Sequence, residues 1–439
     1  MTLSSVSAAR LPDWSSLSGL GRMAALEQCR RRLAHLGRML HAVEHIYHAE
    51  PVREGPLAGL PYVAKDMFAT GRSQPSWGCA VPQAPALPRA SVIDRLDQAG
   101  AALLGASTMT ELAYEPSGMG RRRAFNPWRF DAIAGGSSTG SAVLVAAGGC
   151  FAALGSDTGG SVRIPAHCCG VTALKPGYGS VPLDGAMALA PSLDTVGIFA
   201  RSAADLASLW PVVSGNPAVA SGGPPRAVML QDAFEASDGE VARLCRNAVS
   251  VLAEHGTRID ESRGFSEETD LHALTVLLAE AAREHRVRID DPAIDASLRK
   301  RISKGLAITD RELATAIAAR ERLRDQFVLS ALGEDGVAVL PVMPIRTPGV
   351  SEVDPASARF NARVLYALSR FTRFVNYLGL PALAVPAGFD RDGMPVGLQL
   401  IGRPGGEAVL LQIAVRLQEH TDWHGRVPTS VAAEIAGEP

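Results

Sequence analysis

The apolar positions of the first segment recur with helical spacing. Leu26, Leu33, Leu36, Leu40 and Val43 line one side of residues 19–48, amid arginines suited to solvent. Pro51 and Gly55-Pro56 close this unit, giving an N-terminal helical segment over residues 1–50 that packs on the core. The period then changes. Leu57–Val63 reads as a short buried strand that delivers Lys65 to its C-terminal end. Residues 91–104 read as a helix capped by Ser91, with Val92, Ile93 and Leu96 inward, and Ala101–Gly105 as the next strand. Ser141–Ala147 and Phe151–Leu154 repeat the helix–strand order. Ser202-Ala203-Ala204-Asp205 predicts a capping box for a helix through Trp210, and Ser214–Pro225 a linker. Residues 239–255, 268–288 and 309–331 read as helices, the last opened by Thr309 with Glu312 three positions on. Val337–Leu340 and Ala382–Val385 are short apolar strands, the second followed by a hairpin around Asp390-Arg391-Asp392-Gly393. Strands alternating with helices predict an α/β fold, a mixed central sheet covered by helices on both sides.

Residues 132–156 carry no charge, which raises the question of a membrane span. Eleven of those twenty-five positions are Gly, Ser or Thr, so the run reads as a buried helix followed by a buried strand. Across 439 residues, 47% hydrophobic and 20% charged, the composition is that of an ordinary globular protein. A net charge of −2 gives no argument for nucleic acid or an acidic membrane as partner. The six cysteines lack paired C-x-x-C spacing and read as reduced thiols, and His167-Cys168-Cys169 lacks the second half of a zinc pattern. The N-terminus has no apolar h-region, so the expected location is cytoplasmic.

Three segments carry candidate chemistry: Gly59–Asp66 with Lys65, the loop Gly135-Gly136-Ser137-Ser138-Thr139-Gly140-Ser141, and Asp157-Thr158-Gly159-Gly160-Ser161-Val162-Arg163. A serine hydroxyl needs a neighbouring base to become a nucleophile, and a lysine serves as that base only when burial keeps it neutral. Small residues around the serines let backbone N–H groups approach a reacting carbonyl. The string Gly136-Ser137-Ser138-Thr139-Gly140 also satisfies the G-x-S-x-G nucleophile elbow, which would make Ser138 the nucleophile. That elbow needs a hydrophobic strand before it, and residues 126–134 make a poor one. A phosphate loop would need a lysine that this loop lacks.

These segments resemble the amidase signature family in the order G-L-P-x-x-x-K-D, G-G-S-S-x-G-S and D-T-G-G-S-x-R. The resemblance extends to Asn126-Pro127-Trp128, Ser192–Gly197, Asn376–Pro381 and Asp392–Gly402. It covers residues 55–415 and implies an amidase domain over 51–430, with 215–335 divergent and mostly helical. The resemblance implies Ser161 as nucleophile, Lys65 as general base and Ser137 between them on a cis peptide. It assigns the oxyanion hole to the backbone N–H groups of Thr158, Gly159, Gly160 and Ser161, with no metal or organic cofactor. Ser138 and Ser141 are expected to cap the following helix, Asp157 and Arg163 to brace the loop, and Asp194 to support the site wall. Ser138, Asp157, Arg163, Tyr114 and Met67 are the candidate substrate-binding or supporting residues. Ala134, Thr139 and Met67-Phe68 depart from the usual family pattern near the expected pocket floor. The implied function is hydrolysis of a small carboxamide, with a homodimer compatible. The alternatives are the glutaminase A subunit of a tRNA-dependent amidotransferase and a catalytically silent binding or scaffold protein. Arg121-Arg122-Arg123 and Arg163 are candidates to hold an acidic acyl group, against a solvated charge run and a structural arginine.

Overall fold

A computed structural model describes residues 14, 16–17, 19–48, 50, 53–81, 87–216 and 226–436. Eleven strands form one sheet in the order β1-β3-β2-β4-β6-β5-β10-β11-β9-β7-β8. The strands are β1 (Val43–Ile46), β2 (Pro61–Lys65), β3 (Ala102–Ser107), β4 (Ala152–Asp157), β5 (Thr172–Lys175) and β6 (Thr195–Ala200). They continue as β7 (Arg226–Leu230), β8 (Arg258–Ser262), β9 (Gly336–Pro341), β10 (Ala382–Phe389) and β11 (Pro395–Ile401). β2 runs parallel to β3 and β4, whereas β4·β6, β5·β6 and β10·β11 are antiparallel, so the sheet is mixed as expected. The longer helices are α1 (Gly19–Met39), α2 (Ser91–Gln98), α3 (Thr139–Ala146), α4 (Arg163–Cys169), α5 (Ala203–Ser214) and α6 (Gly239–Glu254). They continue as α7 (Glu267–Glu284), α8 (Ala296–Ser303), α9 (Asp310–Phe327) and α10 (Glu407–Glu419). Core clusters lie on both faces of the sheet, one around Tyr62, Leu154 and Leu398, another around Leu33, Val63, Val143 and Phe199.

Several boundaries differ from the expected ones for local reasons. The N-terminal unit is not wholly helical. α1 ends at Met39, His41 takes φ 52, and Val43 opens β1, which pairs antiparallel with β3. Val43 folds back on Gly37, where a Cβ would lie 2.5 Å from Val43 Cγ2, so pairing at the sheet edge overrides the helical period. Ser91 does not cap α2. Ala90 holds that position, and Ser91 binds Asp184 through N–H (3.1 Å) and Oγ (2.7 Å). The divergent region adds two strands, β7 and β8, besides its helices, and most of the expected linker at Ser214–Pro225 lies outside the described residues. Ser202 caps α5 by accepting from Asp205 N–H, and Thr309 with Glu312 closes a full capping box on α9. The uncharged run is α3 followed by β4, and no helix among the described residues is long and apolar enough to cross a membrane.

Candidate active site

β2 and β4 are adjacent parallel strands, so their C-terminal ends bring Lys65 and the Asp157–Arg163 loop to the same edge of the sheet. Lys65 is fully buried, with Nζ 2.7 Å from Ser137 Oγ and 2.8 Å from Ser156 Oγ. Burial pushes the amine down to about 7, although the Asp157 and Asp194 carboxylates pull the other way. Near neutral pH a substantial fraction of this lysine is therefore uncharged. The Gly136–Ser137 peptide is cis. Ser138 N–H donates to Ser161 O at 3.2 Å, which ties the two serine loops together, and Ser161 is 8% exposed.

Asp157 organises the second loop. Its carboxylate accepts from Gly160 N–H (2.8 Å), Val162 N–H (3.1 Å) and the Arg163 guanidinium (2.8 and 3.0 Å). Burial alone would raise this carboxyl, but the Arg163 charge and hydrogen bonds outweigh it and hold Asp157 at about 2. Gly160 is therefore a correction to the expected oxyanion set, because its N–H is already committed. The N–H groups of Thr158, Gly159 and Ser161 have no protein acceptor among the described residues. Asp194 lies behind them, accepting from Thr158 Oγ1 (2.6 Å) and from Leu189 and Ala190 N–H. Burial raises Asp194 to about 6 despite those bonds.

Arg163 is wholly buried and braces the loop. Besides Asp157 it donates to Thr372 O (3.0 Å), Gln399 Oε1 (2.6 Å) and Asn376 Oδ1 (2.6 Å), which leaves no N–H for a substrate. The Arg121–Arg123 run reaches to Ala293 O, Glu44 and Phe130 O. Ser138 and Ser141 are not side-chain caps. Ser138 Oγ donates to Ser156 O and accepts from Ser156 N–H, while Ser141 Oγ donates to Leu154 O and pairs with Ser107 Oγ. Ser138 is wholly buried and absorbed in these bonds, which argues against the elbow arrangement. Tyr114 lies under the Arg301 guanidinium, 5.3 Å from its ring, in the segment whose Pro116 O accepts from Gly136 N–H. Met67 follows Lys65 into the core, 2% exposed.

Two groups here escape a reading of the sequence. Ser156 is the second partner of Lys65, and it immediately precedes the D-T-G-G-S motif. Thr372 Oγ1 donates to Gly159 O at 2.7 Å, from the segment just before Asn376-Tyr377. All six cysteines are buried and free, and no group of metal-ligating residues forms among the described residues.

The amidase family model matches residues 38–411, and the chain belongs to that family. It is 33% identical to the A subunit of the glutamyl-tRNA(Gln) amidotransferase of Marinomonas sp. (strain MWYL1), with 89% of each chain covered. It is 35% identical to the protein of that name from Halorhodospira halophila, covering 85% of this chain and 86% of the relative. A crystal structure described as an amidase superposes with a TM-score of 0.83 at 30% identity, covering 95% of this chain and 99% of that one.

Proposed function

We propose that this chain hydrolyses a carboxamide through an acyl-enzyme on Ser161, with Ser137 and Lys65 as the proton relay. The observation that carries the reading is the fully buried Lys65 amine, drawn down to about 7 and 2.7 Å from Ser137 Oγ. Neutral Lys65 takes the Ser137 proton while Ser137 takes the Ser161 proton. Ser161 Oγ bonds to the amide carbon, and the carbonyl electron pair moves onto oxygen. The N–H groups of Thr158, Gly159 and Ser161 are the available donors for that oxyanion. As the C–N bond breaks, the proton returns through Ser137 to the leaving nitrogen. Water then attacks the ester by the same relay and releases a carboxylic acid and Ser161.

The names of the relatives favour glutamine as the amide, with this chain acting as an A-subunit-like glutaminase whose ammonia passes to a companion protein. The match to an amidase over nearly the whole of both chains supports the second reading, a self-sufficient hydrolase of a small amide. Both use the same residues and differ in the acyl group. Ammonia release from glutamine, asparagine and a panel of simple primary carboxamides separates them. Turnover confined to glutamine supports the amidotransferase reading, and turnover of simple amides without glutamine supports the second. No ammonia from any amide contradicts both.

A further inference from the structure

A cavity of about 580 Å³ opens where α1 hands over to β1, and Arg38, Arg121, Arg122 and Arg123 line it. No carboxylate is among its described lining residues. Glu44, just outside, pairs with Arg122. Among the described residues Arg121 donates to the Ala293 carbonyl, and its charge is felt by Glu111. Arg123 donates to the Phe130 carbonyl and lies over the Phe125 ring at 4.7 Å. Arg38 forms no ion pair with any described residue. Three guanidinium groups thus share one cavity without a carboxylate in contact. Burial draws Arg123 below the usual arginine range, opposed by Asp131 and Asp354. Arg38 and Arg121 are exposed at the mouth of the cavity, so their charge faces solvent where an anion can approach it.

The wall of the cavity adds a polar donor. Thr108 is 3% exposed, lines the cavity, and its hydroxyl makes no hydrogen bond to another described residue. Its backbone is held on both sides, with N–H donating to Ala42 O and its carbonyl accepting from Gly140 N–H. His41, at φ 52, packs against Phe125 in a tilted arrangement with centroids 4.7 Å apart, and both rings line the cavity.

We propose that this cavity binds a phosphate-bearing anion, with Arg38, Arg121 and Arg123 supplying the charge and Thr108 a hydroxyl. Several guanidinium forks suit the oxygens of a phosphate, and the volume lies in the range of small-ligand pockets. The phosphate can belong to a free phosphoester or to a nucleic-acid backbone. A net charge of −2 for the whole chain conceals this local concentration of positive charge. The site stands apart from the amide chemistry yet touches it through one short loop. Ser107 is paired with Lys65 in the sheet, and Thr110 N–H donates to Ser137 O.

Calorimetric titration of the full chain with pyrophosphate, ADP and a short single-stranded RNA tests the proposal. Saturable binding of pyrophosphate or ADP is expected, weakened about tenfold or more in the Arg38→Ala/Arg121→Ala double variant. Thr108→Val is expected to weaken it as well while keeping the side-chain shape. RNA binding that competes with ADP and falls steeply with salt assigns the phosphate to a nucleic-acid backbone, and ADP binding without RNA binding assigns it to a free phosphoester. Amide turnover of the double variant should equal that of the parent, which keeps this test independent of the proposed hydrolysis. No saturable binding of any probe, or binding unchanged in the double variant, overturns the proposal.

Discussion

In the proposed mechanism Lys65 serves as a base only because the fold strips water from it. The amine sits between Ser137 and Ser156 at the end of a buried strand, and desolvation brings it to about 7. Below that pH the amine is protonated and has no lone pair for Ser137. Above it the base is free, so amide turnover should climb with pH through about 7 and then level off. A profile flat across that region would contradict Lys65 as the base. Lys65→Ala should lower turnover by several orders of magnitude, read as initial ammonia release. Thr372 supports a narrower prediction. Its hydroxyl fixes the Gly159 carbonyl, and a Cβ on Gly160 would meet Thr372 Oγ1 at 2.2 Å, so the loop proposed to hold the oxyanion is seated against this residue. Thr372→Val should lower kcat by roughly tenfold to a hundredfold with KM little changed, and Thr372→Ser should restore it. Loss of thermal stability with unchanged kcat would make the contact merely structural.

At the scale of elements, the sequence is most legible where a single period or cap decides the outcome. The helix after Thr309, the buried helix–strand pair of residues 139–157 and the hairpin at Asp390–Gly393 follow from local signals. Val43 reads as helical because its apolar spacing continues the helix, and only pairing with β3 makes it a strand. Ser91, Ser138 and Ser141 read as caps from local sequence, but their partners, Asp184, Ser156 and Leu154, are contributed by other segments. The two serine motifs and Lys65 are legible, whereas Thr372 and Ser156 carry no signal without the tertiary arrangement. Two substitutions probe these elements. Thr309→Ala removes the α9 capping box and should cost about 1 kcal/mol in a denaturant melt. Gly155→Ala should disturb the site from within β4, because its Cβ would lie 2.8 Å from both Ser138 Oγ and Phe199 Cε2. Its turnover should fall together with its melting temperature, and an unchanged enzyme would show that β4 tolerates the shift.

Across the whole molecule, one sheet with β1 and β8 at its edges draws strands from Val43 to Ile401 and gathers the proposed site from distant parts of the chain. Lys65 ends β2, Ser137 and Ser138 precede α3, Ser161 follows β4, and Thr372, Asn376 and Gln399 close the network from the C-terminal third. The divergent region contributes α7, whose Leu277 stands against Gly159, so acyl preference should respond to changes there rather than at Arg163. The measurement that tests the central claim most directly is peptide mass spectrometry of the protein after reaction with a serine-directed fluorophosphonate. The account predicts a single adduct on Ser161, lost in Ser161→Ala and greatly slowed in Lys65→Ala. An adduct on Ser138, or full labelling speed without Lys65, would contradict it.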